Sequence, residues 1–132
     1  MPWIKSCPAI LQTWFPGQEF GNSLAEILFG KESPSGKLPT TYPKKLSGTP
    51  AYSCYPGENL QMDYKEKLLV GYKWYDRKNI QPLFPFGHGL TYSKFKLKKV
   101  FVLKKKYKIE IKVKLKNTGD FSASETVQCY LE

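Results

Sequence analysis

The sequence predicts an α+β fold made of three unequal parts: a strand with one helix, a long proline-rich connector, and the first strands of a β-structure. Three observations carry this. Phe20, Leu24, Ile27 and Leu28 recur at helical spacing inside Gln18–Phe29. From Tyr107 to Lys116 apolar and charged residues alternate without exception, the period of a β-strand. Between them, residues 31–93 hold seven of the ten prolines and little regular periodicity.

The elements follow in chain order. Cys7–Leu11 reads as a short buried strand, and Trp14-Phe15-Pro16-Gly17 as the turn into the helix. Gly30 is placed to stop that helix, because glycine reaches positive φ at little cost. Pro16-Gly17 does not have phosphate-loop spacing, and Glu19 in the first turn already complements the positive end of the helix dipole. The connector carries one short amphipathic patch near Tyr64–Tyr75. Lys94–Leu103 reads as a strand, Lys104–Lys106 as a tight connection, and Tyr107–Lys116 as the next strand with one buried and one wet face. Asn117-Thr-Gly-Asp120 is a turn. Val127, Cys129 and Leu131 alternate with Gln128 and Tyr130 as a third strand. One α/β unit cannot hide its own apolar faces, and three strands fall short of the roughly seven that close a β-sandwich. Both ends therefore read as parts of something larger.

Composition narrows the function. Hydrophobic residues at 41% and aromatics at 15% argue against disorder throughout. No apolar run approaches the roughly 20 residues of a membrane span, so no membrane partner is expected. The opening MPWIKSCPAI has no long apolar stretch or small-residue cleavage site and does not read as a secretory signal. Cys7, Cys54 and Cys129 with the single His88 are too few and too scattered for a zinc site, and an odd cysteine count argues against a disulfide framework. No metal and no cofactor are expected. Of the net charge of +10, residues 1–93 contribute +3 and residues 94–132 contribute +7. The alternation makes those lysines the wet face of a strand. With no arginine or aromatic interleaved among them, a nucleic-acid partner is not expected.

The motifs then accumulate in a familiar order. Pro8-Ala-Ile-Leu-Gln12, Trp14-Phe-Pro-Gly-Gln-Glu19 and Gly21-Asn-Ser-Leu-Ala-Glu-Ile-Leu-Phe-Gly30 come first. Pro34-Ser-Gly-Lys-Leu-Pro39, Tyr42-Pro-Lys44 and Gly71-Tyr-Lys-Trp-Tyr-Asp76 follow. Pro82-Leu-Phe-Pro-Phe-Gly-His-Gly-Leu-Thr-Tyr92, Asn117-Thr-Gly119 and Glu125-Thr-Val-Gln128 close the series. Over essentially its whole length the chain resembles the C-terminal part of a glycoside hydrolase family 3 enzyme, typically a β-glucosidase.

That resemblance implies an architecture of TIM-like barrel, α/β sandwich and fibronectin type III-like domain. Residues 1 to about 48 correspond to the end of the α/β sandwich, about 49 to 93 to the connector, and 94–132 to a partial fibronectin type III-like β domain. It implies a retaining hydrolase of terminal β-linked glucose whose β-glucoside or oligosaccharide substrate is bound through N-terminal domains. Retention requires two carboxylates about 5–5.5 Å apart. In the family the nucleophilic aspartate belongs to the barrel and the acid/base glutamate precedes the Trp-Phe-Pro-Gly turn, and both positions fall upstream of Met1. No residue here is assigned a catalytic role, and the 132 residues are expected to be inactive alone. Glu19, Glu26, Glu58, Asp63, Glu66 and Asp76 match no catalytic motif. Three positions depart from the family pattern: Phe20 and Lys67 stand where glycine is common, and Lys73 replaces an arginine.

Two local features remain. His88, inside Phe86-Gly-His-Gly-Leu90, has no second acid, base or ligand nearby in sequence and reads as a turn residue. Tyr52, Tyr55, Tyr72, Trp74 and Tyr75 are aromatics of the kind that cover the flat C–H faces of sugars, or that pack domains together. The alternative to a hydrolase segment is a non-catalytic module that binds carbohydrate or an acidic surface through these aromatics and the lysine face.

Overall fold

The computed structural model describes residues 1–131 and contains two α-helices and one two-stranded antiparallel sheet. Two compact units are formed: one from Met1–Gln12 with Lys37–Gly89, the other from Thr13–Gly36 with the chain from Leu90 onward.

In the second unit, helix α1 spans Phe20–Leu28. Asn22 Nδ2 donates to Glu19 Oε2 at 2.8 Å beside its first turn. Gly30 ends it at φ 71°, and the Lys31 and Glu32 amides fold back onto the Glu26 carbonyl at 2.8 and 3.1 Å. The expected stop is thus realised by carbonyl capping at a left-handed glycine. Tyr92 ties the helix to the start of the sheet. Its hydroxyl donates to the Ile27 carbonyl at 2.9 Å, its amide donates to Ser33 Oγ at 3.0 Å, and its ring meets Phe121 edge-on at 5.8 Å.

Strands β1 (Phe95–Lys105) and β2 (Lys108–Asn117) form a hairpin turned by Lys106 and Tyr107. β1 therefore runs two residues beyond its expected end, and Tyr107 belongs to the turn rather than the strand. The register pairs Leu97 with Leu115, Val100 with Val113 and Val102 with Ile111 on one face. On the other face Lys96 meets Lys116, Lys99 meets Lys114 and Phe101 meets Lys112. The two faces stay in phase because the register shifts between Leu97 and Lys99, making Lys98 the extra residue of a bulge.

Two sequence expectations are corrected. Cys7–Leu11 forms no strand: a 3-10 turn over Pro2–Ser6 is followed by an exposed, unpaired run. Val127, Cys129 and Leu131 likewise extend without joining a ladder. Strand state needs a neighbouring edge to satisfy the backbone, and among the described residues neither segment is given one.

The core is minimal. Among the described residues Cys54 and Tyr75 are the buried hydrophobic ones, and the apolar side of β2 is open, with Ile109 46% exposed. The expected buried strand face is therefore apolar but uncovered. The accessible surface is 11361 Å² for a 15.2 kDa chain, whereas a folded monomer of that mass exposes roughly 7,100 Å².

Candidate functional site

The aromatic connector lies in the first unit, where two distant stretches are laced together. The Leu38 amide donates to the His88 carbonyl at 2.8 Å and the Gly87 amide to the Leu38 carbonyl at 2.7 Å. The Tyr42 amide donates to the Phe84 carbonyl, and the Leu83 amide to the Tyr42 carbonyl, both at 2.8 Å. Lys37 Nζ adds a bond to the Gly89 carbonyl at 2.7 Å. The Lys37–Tyr42 and Leu83–Gly89 motifs are therefore opposite sides of one structure. Proline removes amide donors on both sides, so the bonds concentrate on the remaining residues.

Helix α2 (Tyr72–Lys78) follows, ended by Asn79 in the left-handed conformation with its amide on the Asp76 carbonyl. It divides the aromatic set. Tyr75 is 5% exposed, and burial raises its phenol above the ordinary value. Trp74 donates Nε1–H to the Gly48 carbonyl at 3.1 Å and carries Lys78 Nζ 5.3 Å over its ring. Tyr72 stacks on Phe86 with ring centroids 5.2 Å apart. These three work in packing. Tyr52 and Tyr55, by contrast, are exposed, Tyr55 at 72%. Tyr55 lines an open polar depression with Glu58, Asn59, Gln61 and Asp63.

His88 sits in a turn, its amide on the Pro85 carbonyl and its ring 5.2 Å from Phe84. The carboxylate-bearing residues serve local ends: Glu19 accepts from Asn22, while the backbone carbonyls of Glu26, Glu66 and Asp76 accept amides at turns. Among the described residues no three His, Cys, Asp or Glu side chains gather as a metal site would require, and no helix is long and apolar enough to cross a membrane. One departure from the family pattern gains a physical meaning. Lys67 adopts φ 53°, a left-handed conformation that favours glycine.

Comparison with known proteins agrees with this geometry and gives it a family. The family model for the glycosyl hydrolase family 3 C-terminal domain matches residues 1–92, and the chain belongs to that family of glycosidases. The most similar relatives include the thermostable β-glucosidase B of Acetivibrio thermocellus, 47% identical over 100% of this chain and 18% of its own length. The β-glucosidase BoGH3A of Bacteroides ovatus is 44% identical over 99% of this chain and 19% of its own length. Among solved structures, a GH3 β-glucosidase from Bifidobacterium adolescentis superposes with a TM-score of 0.87 at 38% identity, over 92% of this chain and 18% of its own. The chain thus spans less than one fifth of the length of the curated relatives it matches.

Proposed function

We propose that these 132 residues are a C-terminal structural segment of a β-glucosidase-type hydrolase that removes terminal β-linked glucose with retention. In this reading residues 1–48 close an α/β sandwich, 49–93 form the connector, and 94–132 open a fibronectin type III-like domain. The nucleophile and the acid/base glutamate come from preceding domains, which also hold the β-glucoside or oligosaccharide. The observation that supports it most is the exposed surface. A chain whose relatives align along its whole length, yet which leaves its strand and helix faces bare, matches a piece that other domains cover.

The test is a chimera in which the corresponding segment of the A. thermocellus enzyme is replaced by this chain. Hydrolysis of an aryl β-glucoside is expected from the chimera, but neither from the host lacking the segment nor from the 132 residues alone. Hydrolysis by the isolated chain, or a folded chimera without activity, would overturn the proposal.

A further inference from the structure

The bulge at Lys98 has a consequence on the charged side of the hairpin. It turns Phe101, 57% exposed, onto the lysine face opposite Lys112, where the sequence pattern had placed no aromatic. Lys99 Nζ lies 6.0 Å over that ring. Two successive cross-strand pairs, Lys96 with Lys116 and Lys99 with Lys114, set like charges directly opposite each other, an arrangement that destabilises a sheet. Glu110 is the acidic residue on this face among those described. It is already engaged, 3.2 Å from Lys112 and 3.6 Å from Lys105. Among the described residues, the four ammoniums of Lys96, Lys99, Lys114 and Lys116 at the far end have no carboxylate partner. The two strands that carry them lie about 5 Å apart, and the face from Lys116 to Lys112 is about 13 Å long at the rise of a strand.

We propose that this face docks an acidic polysaccharide, with carboxylates between the paired lysines and the C–H face of a sugar ring on Phe101. Two features favour that occupant over a nucleic acid. A single ring is present rather than a succession of stacking platforms. The four lysines are exposed to solvent and lie in two neighbouring strands, where an extended chain can reach them. An anion between the paired lysines would also relieve the like-charge pairs, so binding is expected to stabilise the hairpin. Docking and hydrolysis are measured separately, so a chimera that hydrolyses without docking counts against this inference and not against the hydrolase reading.

The experiment uses the active chimera, with its host as control, against polygalacturonate, uncharged dextran and oligo-dT. Polygalacturonate should bind the chimera and not the host. If four lysines are neutralised at a slope of about 0.7 per contact, affinity should fall about 50-fold between 50 and 200 mM salt. Replacing Lys96, Lys99, Lys114 and Lys116 together by glutamine should weaken binding at least tenfold while aryl β-glucoside hydrolysis persists. The matching arginine variant should retain binding, and Phe101→Ala should lower affinity several-fold. Equal retention of host and chimera, tighter binding to oligo-dT than to polygalacturonate, or indifference to the Phe101 change would each overturn it.

Discussion

Gly119→Ala is the substitution whose cost can be worked most closely from the structure. A Cβ at Gly119 would lie 2.5 Å from Ser93 Oγ, 2.8 Å from the Lys94 amide nitrogen and 3.2 Å from Ser93 Cα. The serine hydroxyl can swing aside, but it donates to Asn117 Oδ1, which also accepts the Gly119 amide at 3.0 Å. The Lys94 nitrogen is backbone and must retreat by several tenths of an ångström. That movement pulls on the Lys94 carbonyl, which takes the Thr118 amide at 2.7 Å and closes the open end of the hairpin. Overpacking costs typically 1–3 kcal/mol, and each strained hydrogen bond contributes about 1 kcal/mol. The stiffer unfolded chain returns about 0.5–1 kcal/mol. The net loss is about 2–3 kcal/mol, confined to the 93–121 turn. Amide hydrogen exchange of the chimera reads this locally, and the Thr118 and Gly119 amides should exchange roughly 30- to 150-fold faster in the variant. Unchanged protection in a folded, active variant would refute the claim that Asn117 and Gly119 staple the sheet.

Other consequences can be checked in the same chimera. Trp74→Ala should destabilise by about 2 kcal/mol through lost packing and the lost bond to Gly48, with the Michaelis constant unchanged; a raised KM would instead put Trp74 at the substrate. Lys67→Gly should stabilise by about 0.5–1 kcal/mol, since relief of a left-handed residue is worth about 1–2 kcal/mol and the extra freedom of unfolded glycine takes back about 0.5–1. A denaturant midpoint that falls would contradict this. Because burial raises the Tyr75 phenol above its ordinary value of 10.0, the unfolded chain gives up its proton first as pH rises. The contribution of Tyr75 is complete below about pH 10 and is lost as pH climbs through the folded value. Tyr75→Phe should therefore flatten the alkaline loss of stability, and parallel pH–melting curves for the two proteins would count against it.

How much was legible follows from where each signal resides. Helix α1 could be placed because its stripe and its stop, Gly30, are both local. β2 was legible because ten residues alternate without a break. Cys7–Leu11 and Val127–Leu131 misled for one reason: an apolar run specifies a preference for burial, whereas a strand also needs an edge to pair with. Helix α2, seven residues long, gave only an amphipathic patch, since so few turns barely define a period. The lacing of Lys37–Tyr42 to Leu83–Gly89 joins residues some 45 positions apart and leaves no mark on either stretch alone. The aromatic set was recognisable as a group, but its division rests on distant partners: Trp74 meets Gly48 and Tyr72 meets Phe86, whereas Tyr52 and Tyr55 stay exposed.

The least visible feature, the bulge, also governs the two faces of the hairpin. In β1 a strict alternation from Leu97 would put Lys99, Phe101 and Leu103 on the apolar side and Val100 and Val102 among the lysines. Counting Lys98 as the extra residue reverses the parity beyond it, so that Val100 and Val102 join Leu97 opposite Val113, Ile111 and Leu115. Deleting Lys98 should therefore be tolerated: Leu97 still faces Leu115, Lys99 still faces Lys114, and the ladder becomes regular. Deleting Val100 instead should cost more, because with the bulge retained every later residue of β1 changes face, setting Val102 opposite Lys112 and taking Phe101 off the lysine face to lie opposite Val113. Activity and hydrogen exchange of the two deletion chimeras would separate these cases. Equal damage from both would mean that the parity of the strand is not set at Lys98, and that Phe101 owes its place on the lysine face to something else.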